Sequence, residues 1–218
     1  MTGVAGAVIE ASLNQDIFML TRIDKPALLR QLFDLGLSYS GQVMSLSKTL
    51  GQLTGAGNTT TLSRYLHLLD QAGLLAGLEK HSTRPVVTRA SSPKFQVHNT
   101  ALCSAARPES FAAVRADGPR WGHVVENAVG AHLLAEIGSH PHARLRYWRA
   151  GNDEVDFVVR WGQMVIGIEV KATGGSTRGL TAFARRFPDA TTLVVADNHI
   201  PWTELVATCL PDLVSALT

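Results

Sequence analysis

Apolar residues recur at three- and four-residue spacing from Pro26 to about Leu37, with Leu28, Leu29, Leu32, Phe33 and Leu35 on one side. That spacing predicts an amphipathic helix. Pro26 suits its first turn, because the N–H that proline lacks would go unused there. A weaker helical repeat runs over residues 9–24 through Leu13, Ile17, Phe18 and Leu20. Ser45 is placed to cap a short helix reaching Leu53, and Gly55-Ala56-Gly57 breaks it. Asn58 or Thr59 then caps a longer helix, Thr60 to Ala72, whose apolar side carries Leu62, Tyr65, Leu66, Leu68 and Leu69. Gly73 ends that helix. Leu74-Leu75 enters an extended segment, with Pro85-Val86-Val87-Thr88 as its expected hairpin partner.

Helices followed by a hairpin predict a winged helix-turn-helix, in which the third helix enters the major groove and the wing meets the backbone. Beyond it, Lys94 to His98 reads as a short strand, and Asn99 caps a helix to about Ala105. Arg107 to Gly118 reads as a loose connector. The domain boundary is placed there, giving residues 1–118 and 119–218. Trp121 to Ile137 is an amphipathic helix, and Leu145 to Trp148 begins a strand. Two apolar strands follow, joined at Trp161-Gly162-Gln163-Met164. Thr177 is placed to cap a helix to Phe187, and Thr191 to Ala196 is a buried strand. A last helix spans Pro201 to Leu217 with a break at Pro211. The expected class is α/β, α+β overall, with a mixed central sheet in the second domain.

Charges interrupt the two joined strands where a plain core would want none. Taking Gly162-Gln163 as a two-residue hairpin loop pairs Trp161 with Met164. Counting back sets Asp156 opposite Glu169 and Glu154 opposite Lys171, all on one face. Opposed carboxylates repel, and a divalent cation between them would remove that cost. Oxygen ligands of this kind suit Mg²⁺ or Mn²⁺. The alternative is a solvated sheet face with an ordinary Glu154–Lys171 ion pair.

Asp156 followed by Glu169-Val170-Lys171 on the next strand resembles the PD-(D/E)XK nuclease superfamily, the restriction-endonuclease-like fold. The resemblance implies that Asp156 and Glu169 hold a metal. It implies that Lys171 positions or activates the attacking water, or steadies the scissile phosphate. Glu126, on the helix before the first core strand, matches a carboxylate that many members carry there. The chemistry needs such groups whatever the family. A metal acidifies water and acts as a Lewis acid. A lysine adds positive charge where negative charge develops.

Composition adds bounds. The 218 residues are 45% hydrophobic, enough for one large or two small domains, and the net charge of +2 does not by itself argue for a nucleic-acid partner. Its distribution says more. No acidic residue lies between Lys80 and Pro108, where Lys80, Arg84, Arg89, Lys94 and Arg107 all fall. Such a stretch attracts phosphates, or is simply a solvated loop. Candidate nucleic-acid contacts are Asn58, Thr60 and Arg64 at the third helix, Lys80 and Arg84 at the wing, and Arg149. The competing readings are a packing or dimerisation module for the helices and a surface ion pair for Arg149. Cys103 and Cys209 lack metal-ligand spacing and are expected as buried free thiols in a reducing cytoplasm. No apolar run reaches the length of a membrane span, and no signal architecture opens the chain.

The wider pattern resembles the C-terminal half of prokaryotic AAA-type ATP-binding proteins, which follow a P-loop domain with a winged helix and a nuclease-like domain. The matching residues are Asp16-Ile17, Arg22-Ile23-Asp24, Tyr65 to Leu74, Ser92-Pro93-Lys94-Phe95, Gly122 to Asn127, Tyr147-Trp148-Arg149 to Asp156, and Glu169-Val170-Lys171. Two departures stand out. Gly174-Gly175-Ser176-Thr177 has neither the spacing nor the lysine of a P-loop, so this chain carries no ATPase site. His98-Asn99-Thr100-Ala101 stands where the family usually has an aspartate and a glycine. The resemblance implies a metal-dependent nuclease or nuclease-like DNA-binding module, or else an inactive nuclease-like domain used in protein interaction or regulation. An ATPase partner or self-association is implied with it.

Overall fold

The computed structural model describes residues 23–55, 57–84, 88, 91–107, 109–172 and 175–218. Residues 9–22 of the helix expected over 9–24, and most of the expected wing return, Pro85 to Val87, lie outside them, and Ile23 and Asp24 are not helical. The chain divides into two compact units, Met1–Gly77 with Ser92–Glu109, and Leu78–Ser91 with Ser110–Thr218.

The first unit contains α1 (Pro26–Ser38), α2 (Leu46–Leu50), α3 (Thr59–Gln71), β2 (Lys94–Val97), α4 (Thr100–Ala106) and the start of β1 (Leu75–Lys80). The apolar sides read from the sequence meet here: Leu29, Leu32, Phe33, Leu62, Leu69 and Phe95 are all fully buried in one cluster. Ser45 accepts from Lys48 N and starts α2, which ends at Leu50 rather than Leu53. Asn58 accepts from Thr61 N at 2.9 Å and starts α3.

The partner of β1 differs from expectation. Its neighbour in this unit is β2. Thr88, the described end of the expected return, donates its N–H to the Arg84 carbonyl. The reason is burial: all of β2 is buried, and its other edge is held by Ser40, whose Oγ accepts from Val97 N at 3.0 Å. A segment opening on proline cannot supply every ladder donor. Lys94, one of the charges expected to attract phosphates, is wholly buried and unavailable to solvent ligands.

The second unit holds α5 (Phe111–Ala116), α6 (Gly118–Gly138), β3 (Ala143–Ala150), β4 (Asp153–Trp161), β5 (Met164–Lys171), α7 (Arg178–Arg186), β6 (Thr191–Ala196), α8 (Trp202–Leu205) and α9 (Leu210–Ala216). The strand order is β2-β1-β3-β4-β5-β6. Here β1 runs parallel to β3 through Glu79↔Arg146 and Lys80↔Tyr147. The β3–β4 and β4–β5 pairs are antiparallel, and β5–β6 is parallel. The sheet is therefore mixed, and the protein is α+β.

Two segments depart from the sequence reading. The connector expected over Arg107 to Gly118 contains α5, started by Ser110 accepting from Ala113 N. The interruption of the C-terminal helix does not fall at its proline either. Pro211 lies in the first turn of α9, where its missing donor costs nothing, and the gap falls at residues 206–209. Cys209 is exposed rather than buried, Cys103 is half-buried, and neither is in a disulfide.

Candidate carboxylate–lysine site

Two neighbouring strands and one helix build the site. The β4–β5 ladder follows the expected register from Trp161↔Met164 to Phe157↔Ile168, with Gly162 at φ 57° in the turn. The ladder ends there. Opposite it, Arg146↔Val158 and Trp148↔Val155 leave Tyr147 facing both Asp156 and Phe157, so β4 bulges at the aspartate. Bulges bend a strand and re-aim a side chain. The re-aimed Asp156 accepts at Oδ2 from Val170 N at 2.8 Å, taking the place of a strand carbonyl.

Lys171 is not paired with Glu154, as the register count alone suggested. Its Nζ lies 2.6 Å from Oε1 of Glu169, whose side chain is almost fully buried. Glu154 is matched across to Arg149 on β3, with Nε and Oε2 3.7 Å apart. The cause is the bulge, which ends the β4–β5 ladder before Glu154 reaches Lys171.

Charge shows how the site converges. Burial alone would lower the pKa of Lys171. The hydrogen bond to Glu169, then the negative charges of Glu169, Asp156 and Glu126, override it and hold the ammonium above its ordinary range. All four site residues read from the sequence thus meet in one electrostatic cluster. Glu126 reaches it from α6, a helix begun by Asp117 accepting from Arg120 N. Glu126 Oε1 and Glu169 Oε2 are both shut off from solvent.

The three carboxylates fit a hard divalent cation in chemical kind. Among the described residues, however, no three His, Cys, Asp or Glu side chains are arranged to hold a metal ion. The positive charge seated on Glu169 is the Lys171 ammonium.

The candidate nucleic-acid contacts divide between the units. Asn58, Thr60 and Arg64 belong to the first, and Lys80, Arg84 and Arg149 to the second. Asn58 spends its side-chain oxygen on the cap of α3. Arg64 is half-exposed, 3.9 Å from Asp24. Lys80 and Arg149 line one small cavity of about 180 Å³ with Arg186. Among the described residues, no helix is long and apolar enough to cross a membrane.

The fold and site define a two-unit α+β protein carrying a carboxylate–lysine cluster beside a mixed sheet. The chain belongs to the family described as Domain of unknown function (DUF8612), whose model matches residues 4–112, half its length. Residues 121–211 match a second description, Domain of unknown function (DUF4143), a C-terminal domain often found in AAA ATPase proteins. No curated protein and no solved structure matches the chain.

Proposed function

We propose that the second unit is a nuclease-like module of the PD-(D/E)XK type, acting as a metal-dependent phosphodiester hydrolase on nucleic acid, DNA foremost. The observation that supports this reading is the convergence of Glu169, Asp156 and Glu126 on Lys171. Asp156, Glu169 and Glu126 would have to draw together from the arrangement described to hold Mg²⁺ or Mn²⁺, which would supply an acidified water and a Lewis acid. Asp156 is held for that task by the Val170 amide. Lys171 keeps its proton and offers a fixed positive charge to a phosphate oxygen. In the first unit we propose a winged helix, with Arg64 and the start of α3 facing the nucleic acid. A separate ATPase chain, or a second copy of this one, is the proposed protein partner, on the strength of the match at residues 121–211.

One observation favours a second reading. The 2.6 Å Lys171–Glu169 pair satisfies by itself the charge that a metal would answer. An inactive nuclease-like domain working in protein interaction or regulation would keep that pair.

Calorimetric titration of Mn²⁺ and Mg²⁺ separates the two. The hydrolase reading expects binding to the wild type that is lost in Asp156→Ala, and metal-dependent DNA cleavage that is lost in both Asp156→Ala and Lys171→Ala. Absence of binding and cleavage in the wild type would leave the inactive module as the better account.

A further inference from the structure

A separate cleft in the second unit, of about 810 Å³, is lined by Arg146, Arg160 and Arg186, with His81 and Phe187 on its wall. None of these residues belongs to the carboxylate–lysine site. The volume falls within the range of small-molecule sites. Strands β1, β3, β4 and β5, helix α7 and the segments after β1 and α7 build the cleft. The parallel pairing of β1 with β3 brings in His81, whose N–H donates to the Tyr147 carbonyl at 2.6 Å. Arg146 comes from β3, Arg160 from β4, and Arg186 and Phe187 from the end of α7.

Three features of the lining point to a ligand. Arg160 and Arg186 are exposed guanidiniums, and no ion pair ties either to a carboxylate among the described residues. The planar fork of arginine matches phosphate oxygens two at a time. His81 is 7% exposed, and its Nδ1 is buried with no hydrogen-bond partner among the described residues. A buried polar atom left in that state is costly unless something completes it. The Phe187 ring packs edge-on against His81 at 4.8 Å and lies under Arg186 at 5.8 Å, giving the cleft an aromatic wall.

Carboxylates also line the cleft, and they narrow the ligand. Glu79 is held 3.5 Å from Arg146. Asp189 faces the same space. A bare polyanion would meet that negative charge. A nucleotide would use it, since carboxylates accept hydrogen bonds from ribose hydroxyls. We propose that this cleft binds a nucleoside phosphate, its phosphate held by Arg160 and Arg186, its ribose by Asp189 and its base against Phe187. The nucleotide is either free or the phosphorylated end of a strand, because both present the same group. Neutral His81 would contribute hydrogen bonding without further charge. Its pKa is lowered to about 4 by burial, then by Arg146 and Arg160.

The test is calorimetric titration of the full chain with adenosine 5′-monophosphate, adenosine, inorganic phosphate, and a short oligonucleotide with and without a 5′-phosphate. Adenosine monophosphate is expected to bind saturably and more tightly than adenosine or phosphate. Arg160→Gln and Arg186→Gln should each weaken it about tenfold or more, the usual loss of a charge-assisted contact. Both residues are exposed, and unchanged circular dichroism would show that the variants remain folded. Asp156→Ala should bind like the wild type, which separates this cleft from the metal reading. Binding of the 5′-phosphorylated oligonucleotide alone, with the same loss in both arginine variants, would uphold the site and assign its source to strand ends. The proposal is overturned by nucleotide affinity unchanged in both arginine variants. Inorganic phosphate binding as tightly as the nucleotide would also overturn it, as would no saturable binding of any phosphorylated probe up to about 1 mM.

Discussion

Lys171 and His81 are both partly withdrawn from water, and their surroundings push them in opposite directions. Three carboxylates outweigh burial at Lys171 and raise its pKa. A group raised on folding stabilises the fold below its unfolded pKa, near 10.4 for lysine, and loses that contribution as pH climbs through the folded value. The Lys171 contribution should therefore be fully present at neutral pH and be lost as pH rises into the alkaline range. Glu169→Gln should cost about 3 kcal/mol, because it leaves a half-buried ammonium poorly matched. Urea denaturation at pH 7 measures it. For His81, burial and two arginines lower the value from 6.5 to about 4. The unfolded chain then binds the proton first, so stability present above pH 6.5 declines as pH falls toward 4. His81→Phe should flatten that part of the stability curve. An unchanged slope between wild type and variant would exclude His81 as its source.

The elements rest on short-range devices with testable costs. Asn58→Ala removes the cap of α3 and should lower stability by about 1 kcal/mol, read from the midpoint of urea unfolding. Packing of α7 on β4 is tighter and less forgiving. A Cβ at Gly179 would strike the Glu154 carbonyl, which is backbone and cannot turn aside. The same end of α7 is tied down by Arg178, whose Nε lies 2.6 Å from Asp153 Oδ1. Gly179→Ala should thus destabilise the second unit by about 2 kcal/mol or more. It should also disturb the bulged part of β4 that carries Asp156. A variant as stable as the wild type would mean that α7 can shift outward freely.

Across the whole molecule, the carboxylate–lysine site and the third helix fall in different compact units. Arg64→Ala should weaken DNA binding and lower the steepness of its salt dependence by about one unit in the log–log plot. The same change should leave metal binding in the second unit alone. Unchanged DNA affinity would reassign the helical unit to protein contact. Much of each unit was legible beforehand, for identifiable reasons. The stripe Leu28, Leu29, Leu32, Phe33 and the cap at Asn58 are local signals, and both appear in α1 and α3. Thr191 to Ala196 forms β6 with those bounds because a short apolar run beside a turn has few other uses. The pairing of β1 was not legible, because its placement between β2 and β3 is a matter of distant burial.

The sequence by itself determined α1, α3 and α4 of the first unit, strands β3 to β6 of the second, and the hairpin register from Trp161↔Met164 to Phe157↔Ile168. These depend on period, caps and a two-residue turn, all of which act within a few residues. Tertiary structure alone decided that β4 bulges at Asp156, that Lys171 pairs with Glu169 rather than Glu154, and that Lys94 is buried. It alone assembled the arginine cleft from residues between Glu79 and Ala190. Those outcomes follow from which strands lie side by side and what they must bury together, and no local spacing carries that information.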